Sequence, residues 1–289
     1  MSIDPSSDPA SGFAVVCYSP AWRRVVAALI VAEQAGILWL LARIVFVDDP
    51  PMTFRALVAL FVTLVGLPGA LAAALARGFA ARLAIEGDTH VIVRRDLRVA
   101  VPTGAITAVE PWSLPLPAPG AWFRLRSGRR LAYGCALADP QRVASWLRTR
   151  GSAPATRDDD PAFLHAAAAA GTGKRRWWHW VLMYPLFGVA PAAIMFNAHQ
   201  FIAYGGTLGE YYQYGWQAYA GTWLEYWGTV TIYLVLWAGV WRMVGEAAAW
   251  LASRLLPAAS GVARRVVEIG CRLLYYGGVP VMIALRFAS

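Results

Sequence analysis

Ionisable side chains inside long apolar stretches are the strongest candidates for functional residues in this chain. Glu33 lies about nine residues into an apolar stretch that begins near residue 25, next to Gln34. At a rise of ~1.5 Å per residue this position falls near the middle of a bilayer, where a charge is costly and is a functional candidate by default. Glu33 is therefore either a proton carrier or a protonated acid that is hydrogen-bonded to a neighbouring helix, with Tyr233 or Tyr275 as candidate partners.

Two pairs of opposite charges occupy the last two apolar stretches. Arg242 and Glu246 are four residues apart, as are Glu268 and Arg272, so each pair can meet on one face of a helix. A helical hairpin that turns near residue 256 would bring the two glutamates to a similar depth. We expect one structural cluster of four side chains, with a gate or a substrate clamp as the alternative.

Acid–base groups also accompany an aromatic segment, residues 202–225, that has no basic residue. His199, Glu210 and Glu225 could serve as general acid or base in a membrane enzyme acting on a lipid or a glycan. A metal site is not predicted, because His199 is a single histidine beside this segment and has no second histidine at a spacing such as HxxxH. No motif of a cofactor-binding protein occurs either, so no cofactor is predicted.

Long apolar stretches must position these groups. They cover residues 25–47, 54–76, 178–201, 226–249 and 266–285, and each is close to the ~20 residues that cross a bilayer as a helix. Hydrophobic residues make up 58% and charged residues 15% of the chain, against ~45–50% and ~25% in soluble domains. The sequence predicts an α-helical integral membrane protein with about five transmembrane helices.

Arginine distribution predicts the orientation. Residues 77–176 carry 16 Arg/Lys against 8 Asp/Glu, and basic loops remain on the cytoplasmic side. We therefore predict a multi-pass protein of a bacterial inner membrane, with the amino terminus and this insert in the cytoplasm. The predicted parts are a cytoplasmic N-terminal segment (1–24), helices one and two (25–77), a cytoplasmic β domain (78–157), an interfacial helix with a basic tether (158–176), and helices three to five with the outer aromatic segment (177–289).

Within the insert the periodicity changes from helical to alternating. Residues 90–102 read H-V-I-V-R-R-D-L-R-V-A-V-P, followed by I-T-A-V-E, then a hairpin around Ser127-Gly128 and a helix after Asp139-Pro140. Several antiparallel strands closed by one amphipathic helix, between membrane spans, resemble the bacterial pleckstrin-homology-like domains of small membrane proteins. This resemblance covers residues 82–150 and implies a β barrel. The predicted core is Val91, Val93, Leu97, Val99, Ile106, Phe123, Leu125, Trp146 and Leu147.

Seven arginines of the insert predict a basic surface near the inner leaflet. They are Arg94, Arg95, Arg98, Arg124, Arg126, Arg129 and Arg130. Anionic headgroups attract such residues at ~1 kcal/mol per charge, and an acidic partner protein would be attracted in the same way; topological retention alone is the structural alternative. Nucleic acid is not expected as a partner, because aromatic residues are not interleaved with the arginines.

Three functions follow from these groups. The leading hypothesis is a non-enzymatic accessory or scaffold protein whose pleckstrin-homology-like domain docks a membrane or cytoplasmic protein, or anionic lipid headgroups. The first alternative is the membrane enzyme with His199, Glu210 and Glu225, and the second is a small transporter that uses Glu33. Cys17, Cys135 and Cys271 are widely spaced and are interpreted as small apolar residues, without a disulfide framework.

Overall fold

A computed structural model describes residues 12–46, 52–87, 89–95, 97–137, 139–149, 160–171 and 177–288. The chain divides into two compact units. The first comprises residues 1–32, 68–173 and 245–269, and the second comprises residues 33–67, 174–244 and 270–289. The basic tether at 174–176 and most of the acidic turn after the first apolar stretch lie outside the described residues.

The first unit is built on one curled antiparallel sheet, an open half-barrel. Its strands are β1 (Phe13–Tyr18), β2 (Ala80–Glu86), β3 (Thr89–Arg94), β4 (Leu97–Pro102), β5 (Ile106–Pro111), β6 (Gly120–Leu125) and β7 (Gly134–Ala136). The strand order is β4-β3-β2-β1-β7-β6-β5. The β domain predicted for the insert is thus present, with β4 and β5 as its edge strands.

Strand β1 is the part of the sheet that the sequence did not predict. It lies in the N-terminal segment, before the first apolar helix, and pairs with β2 on one side and β7 on the other. Its partners Ala80 and Ala136 are far along the chain, so no local turn signal marks the strand. The sheet is therefore assembled from both sides of the first two apolar helices, rather than from an uninterrupted insert.

The concave face of the half-barrel holds a hydrophobic core that the predicted residues largely fill. Ile106, Phe123, Trp146 and Leu147 are buried in this core, Val99 and Leu125 pack against it, and Leu97 is half-buried. The predictions for Val91 and Val93 are wrong: Val91 is buried outside this core and Val93 is 39% exposed, whereas Ile92 between them belongs to the core. The run Val-Ile-Val offers an apolar side chain to either face, so alternation alone could not select the buried one.

Helices account for most of the remaining described chain. They are α1 (Pro20–Phe46), α2 (Phe54–Phe61), α3 (Leu67–Gly78), α4 (Pro140–Thr149), α5 (Pro161–Ala170), α6 (Trp177–Val181), α7 (Val189–Tyr204), α8 (Gly209–Leu255) and α9 (Ser260–Ala288). A π turn, Val62–Gly66, joins α2 to α3, and another, Leu182–Leu186, follows α6. As predicted, α4 places Val143, Trp146 and Leu147 in the half-barrel core.

Four helical segments are long and apolar enough to cross a membrane: Pro20–Phe46, Phe54–Gly78, Trp178–Tyr204 and Gly209–Leu255. Only 17–28% of their most apolar windows is buried inside the protein, whereas a water-soluble core helix would bury such a surface. These helices indicate a membrane protein. They correspond to four of the five predicted spans, and the fifth, within α9, stays a prediction.

The second unit packs its helices in two hydrophobic clusters. In one, Ile37 and Leu40 of α1 contact Leu57 of α2 and Leu236 of α8. In the other, α7, α8 and α9 meet around Tyr275, whose hydroxyl donates to the carbonyl of Met183 at 2.8 Å. Tyr275 thus has a backbone acceptor, and it was a predicted partner of Glu33.

Candidate functional sites

Two arginine-bearing turns lie at the end of the sheet where β1 continues into α1 and α3 continues into β2. Strand β1 ends at Tyr18 just before α1, β2 begins just after α3, and the Cys17 amide donates to the Phe79 carbonyl at this junction, at 2.9 Å. We call this the helix end of the sheet. One antiparallel strand, β2, separates β1 from β3, and one antiparallel strand, β7, separates β1 from β6. Strands β1, β3 and β6 therefore run in the same direction. The turns that follow β3 and β6 therefore also lie at the helix end.

Four of the seven predicted arginines lie in these two turns or directly beside them. Arg94 is the last residue of β3 and Arg95 lies in the β3–β4 turn; the guanidinium of Arg94 lies 5.2 Å from the ring centre of Phe79, a favourable cation–π distance. Arg126 and Arg129 occupy the β6–β7 turn. The contact with Phe79 places the β3–β4 turn directly beside the residue that links α3 to β2.

Acidic neighbours neutralise part of this surface. Glu86 pairs with Arg98, while Glu110 pairs with Arg124 at 2.5 Å and with Arg130 at 2.7 Å. Within the described part of the chain no ion pair engages Arg95, Arg126 or Arg129, and all three are exposed. The seven arginines outnumber the two glutamates that pair with them, so this surface keeps a net positive charge.

A proline-rich loop, residues 112–119, is tied to the same unit by two arginines of helices. Arg23 of α1 donates to the carbonyls of Leu114 and Leu116, both at 3.1 Å, and its guanidinium lies 4.1 Å from the ring centre of Trp112. Arg254, near the end of α8, donates to the carbonyl of Ser113 at 3.3 Å. The sequence pattern did not predict these contacts, which fix the half-barrel to its helices.

The two predicted glutamates of the last helices do come together, around an arginine that was not predicted. Arg264 of α9 donates two parallel bonds to Glu246 of α8, at 2.8 and 2.6 Å, and one to Glu268 at 3.0 Å. Arg264 is 8% exposed. The predicted cluster named Arg242 and Arg272 in its place, because it considered charges inside the apolar stretches and left Arg264 to the loop. A buried fork-shaped donor between two carboxylates is a structural clamp.

His165 of α5 joins this clamp. Its imidazole is buried, with Nε2 3.8 Å from a carboxylate oxygen of Glu246, and it is hydrogen-bonded to the backbone of Ala249. Two residues earlier, Phe163 is part of the half-barrel core. Helix α5 therefore links the core of the half-barrel to α8 and α9 within the first unit.

Acidification should weaken this link. Burial lowers the pKa of His165, the Arg264 charge lowers it further, and Glu246 and the Ala249 bond oppose that effect. Because an unfolded histidine has a pKa of ~6.5, the unfolded chain takes up the proton first, and the free energy of unfolding falls as pH drops below ~6.5. Unfolding midpoints measured from about pH 7.5 to 5.5 should fall more for the wild type than for His165→Gln. Equal losses would show that His165 does not contribute.

Glu33 has an electrostatic partner in the second unit. The charge of Arg242 on α8 acts on the Glu33 carboxyl on α1, so this predicted intramembrane acid is not isolated. Arg242 was predicted to pair along its own helix with Glu246.

The three candidate acid–base groups of the outer segment are not assembled into one site. Glu210 is 5% exposed, and its carboxylate accepts from Gln200 Nε2 at 2.6 Å and from Thr222 Oγ1 at 2.7 Å. Its backbone amide donates to Gln200 Oε1 at 3.2 Å. His199 packs between Tyr204 and Tyr226, with ring centres 5.9 and 5.5 Å apart, while Glu225 is exposed. Across the described residues, no hydrogen bond or ion pair joins His199, Glu210 and Glu225 to one another.

Glu210 instead holds a short helical segment, residues 209–214, which we call the arm. Gly215, with φ 82° and ψ 179°, interrupts α8, so that the short segment 209–214 precedes a long helix. The side chains of Gln200 on α7 and Thr222 on the long helix converge on Glu210 of the arm. Both were missed in the sequence, although a glutamine four residues before the end of an apolar helix is a detectable signal.

No described group of three or more His, Cys, Asp and Glu side chains has an arrangement that could hold a metal ion. Comparisons with protein-family profiles, with curated proteins and with solved structures found no match to this chain. Its function must therefore be argued from the residues themselves.

Proposed function

We propose that this chain is a non-enzymatic scaffold of a bacterial inner membrane, whose cytoplasmic half-barrel docks onto anionic lipid headgroups. The observation that carries the proposal is the set of three exposed arginines, Arg95, Arg126 and Arg129, which occupy two turns at one end of the sheet and which no described ion pair engages. The four candidate spans support the membrane setting, and the excess of arginine in the insert supports the cytoplasmic side.

A pleckstrin-homology-like fold is the finer proposal for the half-barrel. Seven antiparallel strands in the order β4-β3-β2-β1-β7-β6-β5, followed by helix α4 against the concave face, support it. In this arrangement the first two apolar helices occupy the connection between β1 and β2. The membrane anchor is thus inserted into the sheet itself, which keeps the β3–β4 and β6–β7 turns beside the chain's entry into its helices.

The charge of the turns is sufficient for a measurable affinity. Each basic residue near an anionic surface contributes ~1 kcal/mol, so Arg95, Arg126 and Arg129 together would contribute ~3 kcal/mol, or about 10²-fold in affinity.

Docking of an acidic protein remains the other use of the same surface. The enzyme alternative is weakened because the buried Glu210 carboxylate already accepts hydrogen bonds from Gln200 and Thr222, while the transporter that uses Glu33 stays a second alternative.

Removing the three exposed arginine charges of the two turns should weaken headgroup binding. The variant Arg95→Gln/Arg126→Gln/Arg129→Gln in detergent should bind short-chain phosphatidylglycerol about 10²-fold more weakly than the wild type. The measurement is a titration monitored by the fluorescence of a label at Ser127. The matched control replaces the same three residues by lysine, which preserves the charges and should retain most of the affinity.

Two further results bear on the proposal. Short-chain phosphatidylcholine should bind weakly to every variant, and added salt should weaken phosphatidylglycerol binding of the wild type. If the glutamine variant binds phosphatidylglycerol as tightly as the wild type, the headgroup proposal is wrong. An acidic protein captured by the wild type and not by the glutamine variant would then identify the other use of this surface.

A further inference from the structure

Two cysteines that are 118 residues apart in the sequence meet in the centre of the half-barrel. Cys17 of β1 and Cys135 of β7 are directly opposite each other in the strand register, and their sulfur atoms are 3.1 Å apart. They are 1% and 0% exposed and belong to the core cluster. Both are free thiols. The wide spacing of these residues in the sequence had suggested that they were unrelated small apolar positions.

The hydrogen-bond pattern places the two cysteines at the close type of cross-strand pair. The Cys17 amide donates to Phe79, on the β2 side of β1. In an antiparallel sheet a residue's amide and carbonyl point to the same neighbour, so Cys17 and Cys135 do not exchange backbone bonds. Such non-hydrogen-bonded pairs have Cα atoms about 4.5 Å apart and close side chains, within the range that a disulfide can bridge.

We propose that Cys17 and Cys135 form an oxidisable dithiol, and that its oxidation creates a cross-strand disulfide between β1 and β7. This is a covalent modification site, and it is independent of the headgroup proposal. The oxidant is hydrogen peroxide. One thiolate attacks the peroxide and gives a sulfenic acid and hydroxide. The second thiolate then attacks the sulfenic sulfur and displaces its oxygen as a second hydroxide, and the two hydroxides take up the two protons that the thiols released. In total two thiols and one peroxide give one disulfide and two waters.

The position of the pair determines what the disulfide would do. Strands β1 and β7 share only three residue pairs, and β7 and β6 share two. This seam connects the β4-β3-β2-β1 half of the sheet to the β7-β6-β5 half, which carries the arginine turn after β6. A bond across the seam would fix the two halves to each other, and through β1 it would fix the β7 half to α1.

Burial should make the reaction slow and dependent on pH. The hydrogen bond to Cys17 raises the pKa of the Cys135 thiol, and burial raises it further. Since the thiolate is the reactive form, oxidation should accelerate as pH rises from neutral to alkaline. It should also require transient opening of the short β1–β7 seam, because peroxide must reach a closed core.

The full-length protein in its membrane or in detergent provides the test. After treatment with hydrogen peroxide, free thiols are alkylated, and the protein is digested and analysed by mass spectrometry without reduction. We expect a cross-linked peptide pair that joins Cys17 to Cys135, with the loss of two hydrogens. Cys271 is the internal control and should remain open to alkylation. The cross-link should be absent from Cys135→Ser and should disappear after reduction.

Stability gives the second measurement. The oxidised protein should unfold at a midpoint several degrees above the reduced protein, because the bond closes a long loop, and reduction should reverse the shift. Failure to find the Cys17–Cys135 peptide, or its appearance only after the protein has been unfolded, would overturn the inference. So would disulfides formed through Cys271 while Cys17 and Cys135 remain reduced. None of these results depends on whether the arginine turns bind lipid.

Discussion

Replacing Arg264 by alanine should lower the free energy of unfolding by about 3 kcal/mol. The substitution removes the guanidinium that donates hydrogen bonds to the carboxylates of Glu246 and Glu268, at 2.6–3.0 Å. Breaking a buried ion pair by removing one partner costs ~3–5 kcal/mol. The lower end applies, because the Glu246 side chain is 48% exposed and water can solvate part of the charge left behind. Unfolding curves in detergent measure the change.

The adjacent residue gives a matched control. Arg265 is exposed, so Arg265→Ala should change the free energy of unfolding by less than ~0.5 kcal/mol. Arg264→Lys should fall between the two alanine variants, since an ammonium cannot make the two parallel bonds of a guanidinium. Adding Glu246→Gln to Arg264→Ala should restore part of the loss. If Arg264→Ala is as stable as the wild type, the clamp is a surface contact without structural importance.

The Arg264 cluster shows how far charge spacing alone could lead. The sequence identified Glu246 and Glu268 and placed them at one depth, because a helical hairpin near residue 256 imposes it. It could not identify Arg264, whose position just after the hairpin suggested a solvated charge. Arg264 and Glu268 are four residues apart, but Arg242 and Arg272 are also four residues from a glutamate of this hairpin. To select Arg264, one must know which face of each helix is turned toward the other helix.

Strand β1 could not be predicted from the sequence pattern. The meander β2-β3-β4 and the pair β5–β6 are local, and the alternating pattern of residues 90–102 and the run I-T-A-V-E predicted part of their extent. Strand β1 pairs with β2 across the first two apolar helices and with β7 across more than a hundred residues. Six residues without a neighbouring turn signal carry too little pattern for such pairing, and the meeting of Cys17 with Cys135 depends on it.

Glu210→Ala should destabilise the arm, residues 209–214, by about 2–4 kcal/mol. Gln200 is fully buried and uses both ends of its side chain on Glu210, and Thr222 donates to the same carboxylate. Alanine would leave a buried amide and a hydroxyl without their acceptor, at ~1–3 kcal/mol for each unsatisfied group. The exposed side chains of Tyr212 and Trp216 would lose their fixed position, so accelerated proteolysis between residues 205 and 216 should accompany the lower unfolding midpoint.

The isosteric substitution Glu210→Gln separates a structural carboxylate from a catalytic one. A glutamine at this position can accept from Gln200 through its oxygen and donate to the Thr222 hydroxyl through its amide, so the arm should stay within ~1 kcal/mol of the wild type. A general acid or base cannot be replaced in this way, and its loss costs ~10²–10⁴-fold in rate. If Glu210→Gln folds normally and retains cellular function while Glu210→Ala does not, Glu210 is a structural latch. Loss of function in a stable Glu210→Gln protein would instead favour an enzyme whose acid–base chemistry depends on this carboxylate.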